Sequence, residues 1–259
     1  MFPDLFRIGP LTLHTYGLFL VLGITMGLLL ALRLGRDLGM SPQAIIDMGF
    51  IIILSALVGS RLAYVLMNIS YYRDHPLDMI IFWKGGLVFS GGLIAVLLAL
   101  GWYLKRNHIS FWKIGDLWAP SAAIGQGFGR LGCFMAGCCY GKPTEMNWGV
   151  VFTHPNSLAP LNIPLHPTQL YGSLSGFIIF GILYYLHAKK QFEGQLLLWF
   201  LILHSTARLL IERFRGDERG FILGSDMTVT QLFALLVLFS AVIALLVRKP
   251  KEKEPPAPS

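Results

Sequence analysis

The sequence predicts an all-α integral membrane protein of seven transmembrane helices, with a re-entrant segment before span three and a small head outside the membrane. Three observations predict it. Of 259 residues, 14% are charged and 54% hydrophobic, whereas a soluble domain averages about 25% charged and about 45–50% apolar. Seven apolar stretches emerge in a window of about 19 residues. A single long polar connection, residues 133–168, parts the fourth stretch from the fifth. The same composition excludes other classes. Three cysteines are too few for a disulfide scaffold, the chain is too apolar for disorder, and its Lys and Arg are scattered rather than striped, so no nucleic-acid partner is expected. The net charge of +7 favours anionic lipid head groups instead.

The first span is expected at about 15–34. MFPDLFRIGP before it lacks the basic-then-apolar pattern of a cleaved signal, so the span is read as retained. The second covers about 45–67. Segment 79–92, MIIFWKGGLVFSGG, is apolar but broken by glycine before a span accumulates. That suits a half-helix or a re-entrant entry, whose irregular backbone is tolerated only where protein or a water-filled cavity satisfies it. Spans three and four follow at about 86–104 and 112–132, and then the head at about 133–168. A loop of that length usually carries function. Spans five to seven lie at about 169–187, 194–213 and 228–247. Residues 1–247 read as one polytopic domain without internal repeats, and the charged, Pro-rich tail 248–259 is expected to be disordered and cytoplasmic. With the N-terminus outside, inner segments collect eleven Lys and Arg against seven outside, the bias of the positive-inside rule. Tyr71, Tyr72, Trp102, Tyr103, Tyr184 and Tyr185 near span ends read as an interfacial aromatic belt.

Three spans carry an arginine: Arg61, Arg130 and Arg208. Such a charge costs from about 3 to above 10 kcal/mol at the bilayer centre, so it implies a polar partner or a pore. Arg208, Glu212 and Arg215 recur at i, i+4 and i+7, one helical face with two guanidinium groups and a carboxylate. Guanidinium stays charged when buried, and its planar fork matches phosphate oxygens. A cavity lined by Arg130, Arg208 and Arg215 suits an anionic phospholipid. Arg213 and Arg215 are alternatively read as snorkelling to the interface. Gly125, Gly127, Gly129 and Gly132 allow close approach of a helix or a lipid.

At this point GRLGCFMAGCCYG (129–141) resembles the signature segment of the bacterial prolipoprotein diacylglyceryl transferases, usually close to G-R-x-G-N-F-x-N-x-E-x-x-G. LHTYGLFL (13–20), GSRLAYVLMN (59–68), WKGGLVFSGGLI (83–94), HPTQLYGSL (166–174) and RLLIERFR (208–215) are similar to further motifs of that family, in order, so the resemblance spans roughly 11–247. It implies a bacterial inner-membrane enzyme with a periplasmic N-terminus. Such an enzyme moves the diacylglyceryl group of phosphatidylglycerol to the thiol of the lipobox cysteine in a prolipoprotein signal peptide, releasing glycerol phosphate. No metal or organic cofactor is implied. By motif position Arg130, Arg208, Glu212 and Tyr16 are the candidate catalytic residues. Arg61, Ser90, His166, Tyr171 and Arg215, with Arg130 and Arg208, are the candidate phosphatidylglycerol-binding set. Membrane lipids and the prolipoprotein are the expected partners.

The chain departs from the pattern in two places. Ser90 stands where many members have a His, and a hydroxyl alone is no base at neutral pH. Cys133, Ala136 and Cys138 stand where two Asn and a Glu are usual. Other readings therefore stay open: a phospholipid transferase or hydrolase with another acceptor, or a small-anion transporter. Cys133, Cys138 and Cys139 are read as small buried thiols, a structural disulfide, a zinc site with His166, His154 or His14, or a redox or acyl-carrying thiol. Asp47 and Asp116 are read as helix caps, His204 as a hydrogen-bonded core residue, and His166 as helix-start architecture.

Overall fold

The structure, a computed structural model, describes residues 2–8, 11–81, 85–217 and 227–248. The chain opens with an antiparallel hairpin, β1 (Asp4–Ile8) against β2 (Leu11–His14). A window sized for membrane spans passes over strands this short. The helices are α1 (Thr15–Asp37), α2 (Pro42–Met67), the short α3 (Ile69–Asp74), α4 (Phe89–Arg106), α5 (Phe111–Ala136), α6 (Thr168–His187), α7 (Gln195–Glu212) and α8 (Val229–Val247). Two further strands, β3 (Val150–Val151) and β4 (Pro164–Leu165), pair in the segment between α5 and α6.

Each expected span has a helix within a few residues of its place. Five of them, α1, α2, α6, α7 and α8, are long and apolar enough to cross a membrane. Neither α4 nor α5 is among those five. Glycines open α4 and Lys105–Arg106 close it, while α5 carries Lys113, Asp116, Pro120, Gln126 and Arg130, all of which depress mean hydropathy. On α8, with mean hydropathy 2.5, only 11% of the apolar window is buried; Phe233, Leu236, Phe239 and Leu246 stand exposed. An apolar face of this size is stable against lipid rather than water, so this is a membrane protein.

Among the described residues of segment 79–92, only the two ends are helical. A 3-10 turn covers Pro76–Ile80, and α4 begins only at Phe89. Gly85 and Gly86, at φ 92° and 76°, hold left-handed backbone that interrupts any helix there. Residues 82–84 of that segment, Arg219 and the tail from 249 lie outside the described residues.

The chain divides into two compact units, one of Ala31–Ile114 and one of Met1–Leu30 with Gly115–Ser259. In the smaller unit α2 and α4 pack through small residues. A Cβ on Gly59 would overlap that of Ala95 and stand 2.7 Å from the Gly91 carbonyl oxygen, and one on Gly92 would lie 3.0 Å from Ala56 O. Backbone contact of this kind supplies dispersion where lipid removes the hydrophobic drive. Ser41, not Asp47, caps α2, accepting from Ala44 N; Asp47 takes the Gln43 amide instead.

In the larger unit Ala119, Ala123, Ile179, Leu183 and Leu196 join α5, α6 and α7 in one core. Gly23 and Gly27 bring α1 against Gly125 and Ser121 of α5. Asp116 does cap a helix, though not its own. Its fully buried carboxylate accepts from the backbone N–H groups of Gly194, Leu196 and Leu197 at 2.8, 2.8 and 3.2 Å. It thus satisfies the open N-terminus of α7 across the bundle. The segment between α5 and α6 has its own small core of Phe152, Ala159 and Leu165.

Candidate functional site

The larger unit gathers most of the candidate residues. Arg130 projects from α5 with its stem against Gly172 of α6; a Cβ there would stand 3.2 Å from Arg130 Cγ and Cδ. Arg130 is half-buried, and its guanidinium makes no hydrogen bond or ion pair to any described residue. Arg208 on α7 lies 3.3 Å from Glu212 Oε2, one turn away. The other carboxylate oxygen accepts from Thr228 Oγ1 at 3.2 Å. Arg130 and Arg208 both lie within electrostatic range of His204. That histidine stacks on Phe200, centroids 5.5 Å apart, and its buried Nδ1 has no partner, contrary to the expected hydrogen-bonded core residue. Tyr16, 40% exposed, packs on Gly132 within electrostatic range of Arg130.

Arg215 does not share the face of Arg208 and Glu212. The helix ends at Glu212, so the i+7 position falls in the loop beyond it, where Arg215 pairs through its backbone with Gly141. Its guanidinium forks onto Asp217 at 2.7 and 2.6 Å and stands beside Cys139. Burial opposes that charge, but the bonds to Asp217 and Cys139 outweigh it and hold Arg215 above the usual arginine range.

Cys133, Cys138 and Cys139 are free thiols, half-buried, with their sulfur atoms within 4.8 Å of one another. None of His14, His154 and His166 joins the group. Cys139 has left-handed backbone, φ 63°. Its carbonyl accepts from Thr168 Oγ1 at 2.7 Å, and that of Cys138 from Gln169 Nε2 at 2.9 Å. Both donors are buried at the start of α6. Bonds from the Cys133 and Cys138 thiols, then the Arg215 guanidinium, hold Cys139 below the ordinary thiol range; bonds to the other two push Cys138 up.

His166 and Tyr171 stand together, with Nδ1 3.3 Å from the phenol oxygen. Trp148 Nε1 donates to that oxygen at 2.9 Å, and Phe214 packs edge-on to both rings. Sequence reasoning missed Trp148, Thr168 and Gln169. The polar pair Thr168–Gln169 opening an apolar helix was the visible signal, while the Trp148 contact arises only in the tertiary structure.

Arg61 and Ser90 belong to the smaller unit. Arg61 binds protein rather than standing open: it donates to the carbonyls of Met79, Gly85, Gly86 and Asp78 at 3.0, 2.8, 3.1 and 2.6 Å. Tyr64 and Tyr72 face its guanidinium at 5.6 and 5.4 Å. Tyr71 and Tyr72 line with Arg61 a cavity of about 430 Å³. Tyr71 donates to Asp78 at 2.8 Å, a bond that raises its phenol above the usual range. Ser90 is exposed in the first turn of α4.

The chain is similar to known proteins over most of its length. A phosphatidylglycerol--prolipoprotein diacylglyceryl transferase of Clostridium tetani is 34% identical over 242 residues, 93% of this chain and 96% of the relative. Enzymes of the same name from Bordetella avium and Pseudomonas fluorescens are 33% and 35% identical, over 92% and 93% of this chain and 93% and 91% of their own. With the family model for prolipoprotein diacylglyceryl transferase matching residues 3–247, the chain belongs to that family.

Proposed function

We propose that this protein transfers the diacylglyceryl group of phosphatidylglycerol to the lipobox cysteine thiol of prolipoproteins, releasing glycerol phosphate; the names of its relatives give the phosphatidylglycerol, the prolipoprotein and the diacylglyceryl transfer. Arg130 carries the assignment of the site. Its half-buried guanidinium, without a protein partner among the described residues, would cost about 3 kcal/mol or more in a membrane helix unless an anion meets it. A lipid phosphate is that anion, gripped by two parallel N–H bonds. Arg208 is the second cation, aimed by Glu212.

In the reaction the acceptor sulfur bonds to the primary glycerol carbon as the carbon–oxygen bond to phosphate breaks. The thiol gives up its proton, and negative charge collects on the departing glycerol phosphate. Two guanidinium groups fixed in a site of low dielectric stabilise that charge, and holding sulfur, carbon and oxygen in line supplies much of the remainder. Tyr16 supports Arg130 from α1. Arg215, His166 and Tyr171 order the loops around the lipid head group, Arg61 ties down the segment leading to α4, and Ser90 contributes a hydroxyl contact there. In our reading seven helices span the bacterial inner membrane, with the N-terminus and head periplasmic and the C-terminus cytoplasmic, supported by the bias of Lys and Arg.

Purified protein in phosphatidylglycerol micelles, a lipobox peptide and mass spectrometry test this. The peptide is expected to gain the diacylglyceryl mass, and Arg130→Ala to abolish the gain. Free diacylglycerol with unmodified peptide would overturn the transferase reading in favour of hydrolysis.

A further inference from the structure

We propose that Cys133, Cys138 and Cys139 form a three-thiolate site for a soft monovalent cation of the Cu(I) class. The three sulfur atoms come from the last turn of α5 and the loop after it, and lie within 4.8 Å of one another. Thiolate sulfur is a soft ligand and selects soft cations. A structural zinc ion asks for a fourth ligand. No His, Asp or Glu joins the group among the described residues, which leaves the trigonal arrangement that Cu(I) accepts.

The cluster is held from outside. Thr168 and Gln169 grip the carbonyls of Cys139 and Cys138 from the rigid start of α6. The loop turns through left-handed backbone at Gly137 and Cys139. Neither grip uses sulfur, and the Cys138 thiol makes only a long bond to the Cys133 carbonyl, 3.8 Å, which it gives up with its proton, so all three sulfurs can serve as ligands on a preset frame. Arg215, beside Cys139, offsets part of the negative charge that three thiolates around one monovalent cation would carry. The thiols are half-buried, so an ion reaches them from the surface and is then shielded. On binding, each coordinating thiol releases its proton to solvent and no electron is transferred. This site stands apart from the transferase reading and does not depend on it.

The test uses the full chain in detergent micelles, reduced and desalted without oxygen, titrated against a coloured Cu(I)–chelator complex. The protein is expected to withdraw one equivalent of Cu(I). Bound metal is expected to shield all three cysteines, which are the only ones in the chain, from iodoacetamide. Each of Cys133→Ser, Cys138→Ser and Cys139→Ser is expected to weaken retention about tenfold or more. Wild-type protein alkylated at its thiols is expected to withdraw none, a control that holds even where a variant misfolds. Chelator that keeps its Cu(I), equal uptake by the alkylated protein, or zinc outcompeting Cu(I) at equal concentration would each overturn the proposal.

Discussion

Arg208 and Glu212 form an ion pair at 3.3 Å on one face of α7, with side chains only 16% and 2% exposed. Because Thr228 Oγ1 donates to the second carboxylate oxygen and accepts from Gln231 N to cap α8, the pair also ties the end of α7 to the start of α8. Glu212→Gln keeps the shape and strips the charge from this pair, and breaking a buried ion pair by removing one partner's charge costs about 3–5 kcal/mol. Thermal unfolding in detergent is expected to fall accordingly. Adding Arg208→Gln should restore part of the loss. A double variant no more stable than Glu212→Gln would show that the two side chains are not coupled.

Gly172 sets where Arg130 can reach. A methyl group there meets the Arg130 stem at 3.2 Å, tighter than ordinary contact yet against a flexible side chain. Gly172→Ala is therefore expected to leave the unfolding temperature nearly unchanged while raising KM for phosphatidylglycerol. If KM is unaltered, Arg130 does not hold the lipid phosphate from its place against Gly172.

Arg130→Lys separates charge from shape. Lysine keeps the cation but lacks the planar fork, so transfer should fall by about tenfold to a hundredfold, the loss of one to two charge-assisted bonds of about 1.5 kcal/mol each. Full activity in the lysine variant would reduce Arg130 to a point charge.

Much of this was legible in the sequence for a physical reason: lipid demands long apolar helices, and an arginine inside one is costly enough to be conspicuous. That logic located each long helix, along with Arg130, Arg208 and Glu212. It failed where helical periodicity was carried past the helix end. Counting puts Arg215 on the face of Arg208, yet α7 stops at Glu212 and the chain turns it toward Asp217 and Cys139. At Arg61 the need for a polar partner was readable, but not its identity, four backbone carbonyls. Backbone acceptors carry no sequence signature, so neither that grip nor the bond from Thr168 to Cys139 was foreseeable. Asp116 shows the same limit, since its capping role was readable but its target, 78 to 81 residues away, was not.

That long-range cap yields its own prediction. Asp116→Ala removes the acceptor for three backbone N–H groups and the partner of Lys190 Nζ at 3.3 Å. Two of those bonds are fully buried, and an unsatisfied buried donor costs about 1–3 kcal/mol. The variant is expected to lose several kcal/mol of stability and to show faster amide exchange over Gly194–Leu197. Asp116→Asn, which retains one acceptor oxygen, should fall between it and the wild type.

Arg61→Lys tests whether an arginine in a membrane helix can be there for the backbone. The guanidinium donates through Nε and both terminal nitrogens to carbonyls on either side of residues 82–84, including Gly85 and Gly86 with their positive φ. The Asp78 carbonyl also closes the 3-10 turn with Ile81 N at 3.2 Å, and the four bonds satisfy carbonyls in a stretch that forms no continuous helix or strand among the described residues. An ammonium group has three donors on a single atom and cannot span carbonyls that Arg61 reaches from three different nitrogens. The lysine variant is therefore expected to keep the cation–π contact with Tyr64 and Tyr72 while freeing part of the segment. Protease cleavage within residues 76–88 should accelerate, with the helical circular dichroism signal nearly intact. Unchanged cleavage would mean that the segment holds its course without the guanidinium, and that Arg61 is retained for its charge.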